Sequence, residues 1–397
     1  MKSFYGLRAI VSAVAMVCLC VFAGCSSANS DQASIPVFDV EHIMDNIETI
    51  NLSEYASDIN YYPLETSENS LVNGSIITNK IVPTSKGVIF FIPNSSNVPM
   101  AFDHNGKFIS KIGTAGRTSS EYLQLFNVLA VEDGVELVDC NKIMVYDDEY
   151  NFVSSFPIEL NLGEICKTNS GNYISLVSNY LVDKHIKVLD KSGNVLRNKT
   201  LNDYMPPKAP EADENETGEI VVSSFKAVEE KCRFFNVAGD PCIYFTDRKD
   251  TVYTILESGE MAERYLINYG KYNDGVNLNM FIYETDKMIL SRFMFKFNKY
   301  PNIDQKYRFL YFVYDKSTGT TRGMKVADGS KEAAFKNDID GGIEFFPKAI
   351  GNGKMYQLVS AIKFIDAANA SNSAKMKEVA ATLTEESNPV LVVATLK

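Results

Sequence analysis

Two groups of side chains in this sequence have the types and spacing to recognise a polar ligand. Arg117, Glu121 and Tyr122 follow Gly113 and Gly116. The glycines permit a tight backbone path, and Arg117 offers a planar donor fork suited to carboxylates or sugar hydroxyls. Arg117 and Glu121 are equally spaced to pair with each other and pin their loop. Tyr269, Lys271, Tyr272 and Asn273 begin a second stretch, dense in phenols and amides, that continues to Tyr283. A phenolic ring joins an apolar face to a polar tip and an amide supplies paired donors and acceptors, which suits a glycan; the same residues also serve loop packing and turn capping. Catalytic chemistry is harder to assemble. There are three His (His42, His104, His185) and neither a GxSxG elbow nor an HExxH pair. Two carboxylates held ~5–10 Å apart could cleave a glycosidic bond, but with 50 acids some pair is inevitable and none is singled out. Asp338-Ile339-Asp340-Gly341 lacks the downstream Glu of a calcium loop. No catalytic residue, metal ligand or cofactor is assigned, and a non-catalytic reading is preferred to an enzymatic one.

The N-terminus reads as an address. Lys2 and Arg8 precede an uncharged run from Ala9 to Ala23, inside the usual length of a signal-peptide core and short of the ~20 residues that span a bilayer. The run ends Val21-Phe22-Ala23-Gly24-Cys25, which resembles a bacterial lipobox, with Phe22 where Leu is usual. The resemblance implies cleavage after residue 24 and lipidation of Cys25, a multiply acylated residue giving a stable membrane anchor. Ser26 beside it resembles an outer-membrane sorting signal. Residues 25–50 are expected to be the lipidated Cys and a flexible tether. Cys140, Cys166, Cys232 and Cys242 then remain in an oxidising compartment. Cys232 and Cys242 are near enough to face each other across a hairpin; the alternative is four small buried apolar side chains.

The chain has 397 residues, 45% hydrophobic and 22% charged, and a formal net charge of −11. That composition supports a large core, and its acidity argues against nucleic-acid binding. From about residue 59, short runs rich in Ile, Val, Phe and Tyr alternate with Gly, Asn and Asp, the pattern of an all-β chain. A strand, polar turn and strand recur at Ala101 to Ile109, Val145 to Val153 and Val188 to Leu196, with looser copies at Ile255 to Met261 and Val313 to Gly319. Phe102, Tyr146 and Leu189 before the first three turns lie about 44 and 43 positions apart, the period of a four-stranded propeller blade. Phe345 to Ile350 and Lys354 to Ile362 offer one more inner pair. Pairing Asp58 to Leu64 beside Val390 to Leu396 completes a sixth sheet and closes the ring. The expected fold is a six-bladed β-propeller over residues 51–397, with a short helical insertion at Ser373 to Ser387 and a mobile Pro-rich acidic loop at Pro206 to Thr217.

The segment Phe108-Ile109-Ser110-Lys111-Ile112-Gly113-Thr114-Ala115-Gly116-Arg117 through Tyr122 resembles the blade link of NHL-type propellers. With Ile59 to Thr66 before it and Asn388-Pro389-Val390-Leu391 far downstream, essentially the whole mature chain is similar to the six-bladed propeller lipoproteins of Bacteroidota. Thr118, Ser119 and Ser120 stand where that family usually has Gly-Pro-Gly. The resemblance implies a fold and an envelope location and carries no settled activity.

Together these readings give an outer-membrane-anchored protein whose propeller binds a glycan, a peptide or an envelope partner, on either face of the membrane. The alternatives are a hydrolase or lyase using carboxylates in the central channel, and a purely structural part of an envelope assembly.

Overall fold

The structure, a computed structural model, describes residues 35–72, 79–158, 164–178, 184–201, 232–326 and 332–397, without the Met280 side chain. The signal segment, Cys25 and the loop from Pro206 to Thr217 lie outside the described residues.

Six sheets follow one another along the chain. Blade 1 is Lys80–Thr84, Gly87–Phe91, Met100–Asp103 and Phe108–Lys111. Blade 2 is Asn127–Val131, Gly134–Val138, Lys142–Tyr146 and Phe152–Pro157. Blade 3 is Ile165–Lys167, Tyr173–Ser178, Lys184–Leu189 and Val195–Thr200. Blade 4 is Cys232–Val237, Asp240–Phe245, Thr251–Ile255 and Met261–Asn268. Blade 5 is Val276–Glu284, Met288–Phe295, Phe309–Asp315 and Thr320–Met324. Blade 6 takes Ala349–Gly351, Lys354–Val359 and Val390–Leu396 from the end of the chain and Ala56–Pro63 from its beginning. The last pair is in register with Val390 opposite Pro63 and Val392 opposite Tyr61. Innermost strands touch in turn from blade 4 through 5, 6, 1 and 2 to 3, and that of blade 3 reaches blade 4. The fold is the expected six-bladed propeller, closed by its two ends.

Burial explains the strand compositions. Middle strands are covered on both faces by neighbouring blades, so Gly87–Phe91 is buried throughout and Asp240–Phe245 nearly so. Six hydrophobic clusters occupy the gaps between blades, each large side chain contributing about 1.5–3 kcal/mol. The outer hairpins of blades 1, 2, 3 and 5 share one device: Asp103, Asp147, Asp190 and Asp315 turn a carboxylate back onto the amides of their own turns. In blade 3 that turn needs Gly193, at φ +84, where a Cβ would sit 2.5 Å from the Pro157 carbonyl oxygen of blade 2. After blade 6's outer strand, Glu65 N–H likewise donates to the Gly106 carbonyl of blade 1's outer turn at 2.8 Å. At these two junctions the outer turn of one blade abuts the end of the preceding blade's outer strand.

Residues 37–48, expected within a flexible tether, form strands and a helix on the ring. Val37–Asp39 adds a parallel strand to the outer edge of blade 4, helix α1 (Val40–Asp45) follows, and Ile47–Glu48 adds a parallel strand to blade 5. Phe38, Val40 and Ile43 are fully buried, with Phe38 stacked on Tyr265 and tilted against Phe312 at 5.1 and 4.9 Å. Isolated apolar residues among polar ones look like linker sequence; here each is an anchor in a belt. The belt is fastened to the blade 5 to 6 link, where Asp338 accepts from Ser53 N–H and Oγ at 2.9 and 2.6 Å. Asp340 accepts from Tyr61, Asn337 and Ser373.

The insertion in blade 6 is two helices, α2 (Ala361–Ala370) and α3 (Ala374–Ala380). Ser360 caps α2 through the Lys363 amide, so the preceding strand stops at Val359 rather than running to residue 362. Ser373 caps α3, which ends well before residue 387. Cys140, Cys166, Cys232 and Cys242 are free. Cys232 lies opposite Phe245 and Cys242 opposite Phe235, so the two thiols are out of register across their hairpin. Among the described residues no helix is long and apolar enough to cross a membrane.

Candidate functional site

The two rims of the ring differ. One carries the turns inside each hairpin, two to five residues long; the other carries the links between blades and the longer connections, including residues 92–99, 112–126, 296–308 and the helical insertion. Loops of that length set on a rigid scaffold are where recognition surfaces form.

Arg117, Glu121 and Tyr122 lie on the loop rim but do not form one surface. Tyr122 is fully buried in the cluster between blades 1 and 2. Glu121 turns back to accept from the amides of Arg117 and Thr118, both at 2.9 Å, and the Thr118 amide first among these bonds holds its carboxyl below the usual range. Gly116 packs so closely on that carboxylate that a Cβ would lie 2.2 Å from an oxygen. Glu121 thus pins the link through backbone, and the Arg117 guanidinium is left without a hydrogen-bond or ion-pair partner among the described residues.

The second group splits as well. Tyr269 is buried, its hydroxyl 2.9 Å from that of Tyr244 and its ring edge-on to Phe293. Tyr272 packs edge-on to Phe295 and Tyr300. Lys271 gives its N–H to Glu41 of α1 and lays its ammonium over Tyr272 at 5.1 Å. Asn273 is exposed, and its carbonyl accepts from Lys249. Tyr283 is near the other end of the blade 5 inner strand, donating to the Lys348 carbonyl at 2.8 Å, and does not join the others.

A cleft of ≈ 800 Å³ opens beside Tyr269 and Asn273, within the size of small-ligand sites. Its other walls come from the loop between the second and third strands of blade 4, Asp247, Arg248, Lys249 and Asp250, and from Tyr253, Glu263 and Asn268 on the outer strands. Lys249 is the structural pivot: it donates to the Asn273 and Val276 carbonyls and lies 4.5 Å from the Tyr269 ring centre. Burial pushes its pKa down. The sequence signal for this wall is four consecutive charges, Asp247 to Asp250, interrupting two apolar strands; it reads as an ordinary turn until the fold sets it beside Tyr269.

A separate acidic residue precedes the innermost strand of blade 3. This residue, Glu164, feels Lys80 of blade 1 and Arg233 of blade 4, although blades 1 and 3 are not neighbours. Its side chain is reached by solvent but enclosed by protein, and desolvation against those two cations raises its pKa to about 7. The three His are dispersed over α1, the outer turn of blade 1 and blade 3. Among the described residues no group of three His, Cys, Asp or Glu could hold a metal ion.

Residues 35–395 match the family described as Domain of unknown function DUF4934. The chain belongs to this family. No curated protein matches it. Among solved structures, this DUF4934 chain is similar to a protein described as exported, from Bacteroides fragilis, at 14% identity and TM-score 0.61, covering 92% of this chain and 100% of that one. At that identity the likeness shows the fold. A protein of unknown function from Bacteroides caccae gives 12% identity and TM-score 0.36 over 67% of this chain and 90% of that one. The WD40 domain of Neurospora crassa Pan2 gives 12% and 0.34 over 61% and 63%.

Proposed function

We propose that this DUF4934 protein is a lipid-anchored binding module of a bacterial envelope, acylated at Cys25 in the outer membrane, whose propeller holds a glycan in the cleft between Arg248, Tyr253, Asn268 and Asn273. The cleft carries the reading. Its walls combine phenols, amides, carboxylates and cations, a donor and acceptor supply suited to a chain of hydroxyls. The lipobox-like sequence before Cys25 supports the anchor.

Glycan-array binding and calorimetry with the intact chain test the site. Arg248→Ala and Asn273→Ala should each weaken binding about tenfold, near the ~1.4 kcal/mol of one lost hydrogen bond. Unaltered affinity in both variants would remove the cleft from consideration. Metabolic palmitate labelling tests the anchor, and label that persists in Cys25→Ser would refute it. Glu164 favours a second reading, a channel hydrolase or lyase, because a carboxyl with a pKa near 7 can exchange a proton at neutral pH. Turnover of a bound glycan that disappears in Glu164→Gln would establish that alternative.

A further inference from the structure

Arg264, Arg292 and Arg322 are all half-buried, but they keep different company. Arg264 donates to Asp240 and Glu284, and Arg322 to Glu48 and Glu54. Arg292, on the second strand of blade 5, has no carboxylate partner among the described residues. Its Nε donates to Asn279 Oδ1 and its Nη1 to the Tyr311 hydroxyl, both at 2.9 Å, and its Nη2 has no partner among the described residues. An exposed cation in that condition is satisfied by water, whereas a half-buried one holds its charge where solvent cannot surround it. Aromatic rings take the place of solvent. The guanidinium carbon lies over Phe309 at 4.4 Å, Phe281 at 5.3 Å and Tyr311 at 5.5 Å, contacts that stabilise the charge without cancelling it.

The strand beside Arg292 is bulged to build this arrangement. Leu278 lies opposite Phe293 and Ile282 opposite Ser291, so residues 279 to 281 oppose the single residue Arg292. A bulge of that kind re-aims side chains. Here it brings the Asn279 amide, 7% exposed, and the Phe281 ring onto one guanidinium. Ser291 fixes it by donating to the Phe281 carbonyl at 2.6 Å. Glu332, whose charge reaches Tyr311, is paired with Lys348 at 3.6 Å. A second guanidinium, that of the exposed Arg308, approaches the same Phe309 ring at 6.0 Å, so cationic groups gather here in a chain of net charge −11.

We propose that Arg292 receives the carboxylate of a small acidic ligand, the two oxygens taking Nη2 and the second Nη1 proton while the body of the ligand lies against Phe281 and Phe309. A planar donor fork matches a carboxylate in bidentate fashion, and ring surfaces favour a flat or apolar body beside it. The site is separate from the cleft on blade 4 and independent of the lipid anchor. A sugar acid and an aromatic acid offer the same carboxylate, and the body attached to it distinguishes them.

Titration calorimetry of the full chain with benzoate and with galacturonate tests the site, benzyl alcohol and galactose serving as uncharged controls. Saturable binding of at least one acid, tighter than that of its control, is the expected result, and the acid that binds identifies the body the rings accept. Arg292→Lys keeps the charge and loses the fork, and should weaken that binding about tenfold or more. The substitution also unpairs Asn279 and Tyr311, so a measurement on the unaltered site accompanies it. In chain carrying isotope-labelled arginine, the Nε–H resonance that is missing from Arg292→Lys should move as the acid is added. Absence of saturable binding by either acid, controls that bind as tightly, affinity unchanged in Arg292→Lys, or an Arg292 resonance that stays in place each overturns the proposal. So does binding that Arg248→Ala abolishes, because it would then belong to the cleft on blade 4.

Discussion

Val392, near the end of the chain, lies directly opposite Tyr61 in blade 6, more than three hundred residues earlier. Val392 is fully buried, and Tyr61 packs edge-on to Phe364 of α2 while its hydroxyl donates to Asp340. The closing sheet therefore joins both ends of the chain, the helical insertion and the blade 5 to 6 link. Val392→Asp should lower stability by on the order of 3–5 kcal/mol, the cost of a buried charge without a partner. Chemical denaturation should show this as an earlier midpoint. A variant as stable as the parent would mean that the ring does not depend on this seam.

The belt gives a second prediction. Phe38 fills a slot between Tyr265 and Phe312 with no exposed surface, so Phe38→Ala should cost about 3–5 kcal/mol. A residue in a free tether would cost nothing. Thermal or denaturant melts of the two proteins distinguish these cases directly.

How far the sequence revealed this molecule depended on periodicity. The spacing of Phe102, Tyr146 and Leu189 measured the blade, because each polar turn recurs once per four strands, and the two unmatched strands at the ends identified the closure. Phe38, Val40 and Ile43 carried no such rhythm. They bury in a segment too short for a helical or alternating pattern to stand out. The candidate site was half legible: Tyr269 and Asn273 were picked out by type, but Arg248, Lys249 and Asn268 reach them only through the folding of blade 4. Tyr122 and Tyr283 show the converse, since residue type cannot distinguish a phenol that faces a ligand from one that completes a core.

A buried ion pair between blades 2 and 3 supplies a third prediction. Glu136, 3% exposed, accepts from Lys167 and from the Tyr173 hydroxyl, the latter at 2.9 Å. Lys167→Met strands the carboxylate and should destabilise by about 3–5 kcal/mol, whereas Lys167→Met combined with Glu136→Leu should recover most of the loss. A double variant no more stable than the single one would show that the pair is not coupled.

Glu164 predicts a dependence on pH. Its pKa is raised from 4.5 to about 7 in the folded protein, so the folded state binds the proton more tightly and stability falls as pH rises through that interval. Glu164→Gln removes the ionisation. Its melting temperature should exceed the parent's above pH about 7, and the advantage should shrink as pH falls toward about 4.5. A constant difference across the range would exclude Glu164 as the source.

The shared sheet also sets a timetable. Ala56–Pro63 emerges from the ribosome early, but the partner it needs, Val390–Leu396, follows more than three hundred residues later. Blade 6 cannot assemble during most of synthesis, and until it does the blades before it lack the neighbour that completes their ring. Closure of the ring is thus deferred until Val390–Leu396 has been made, and the earlier blades wait as an open arc.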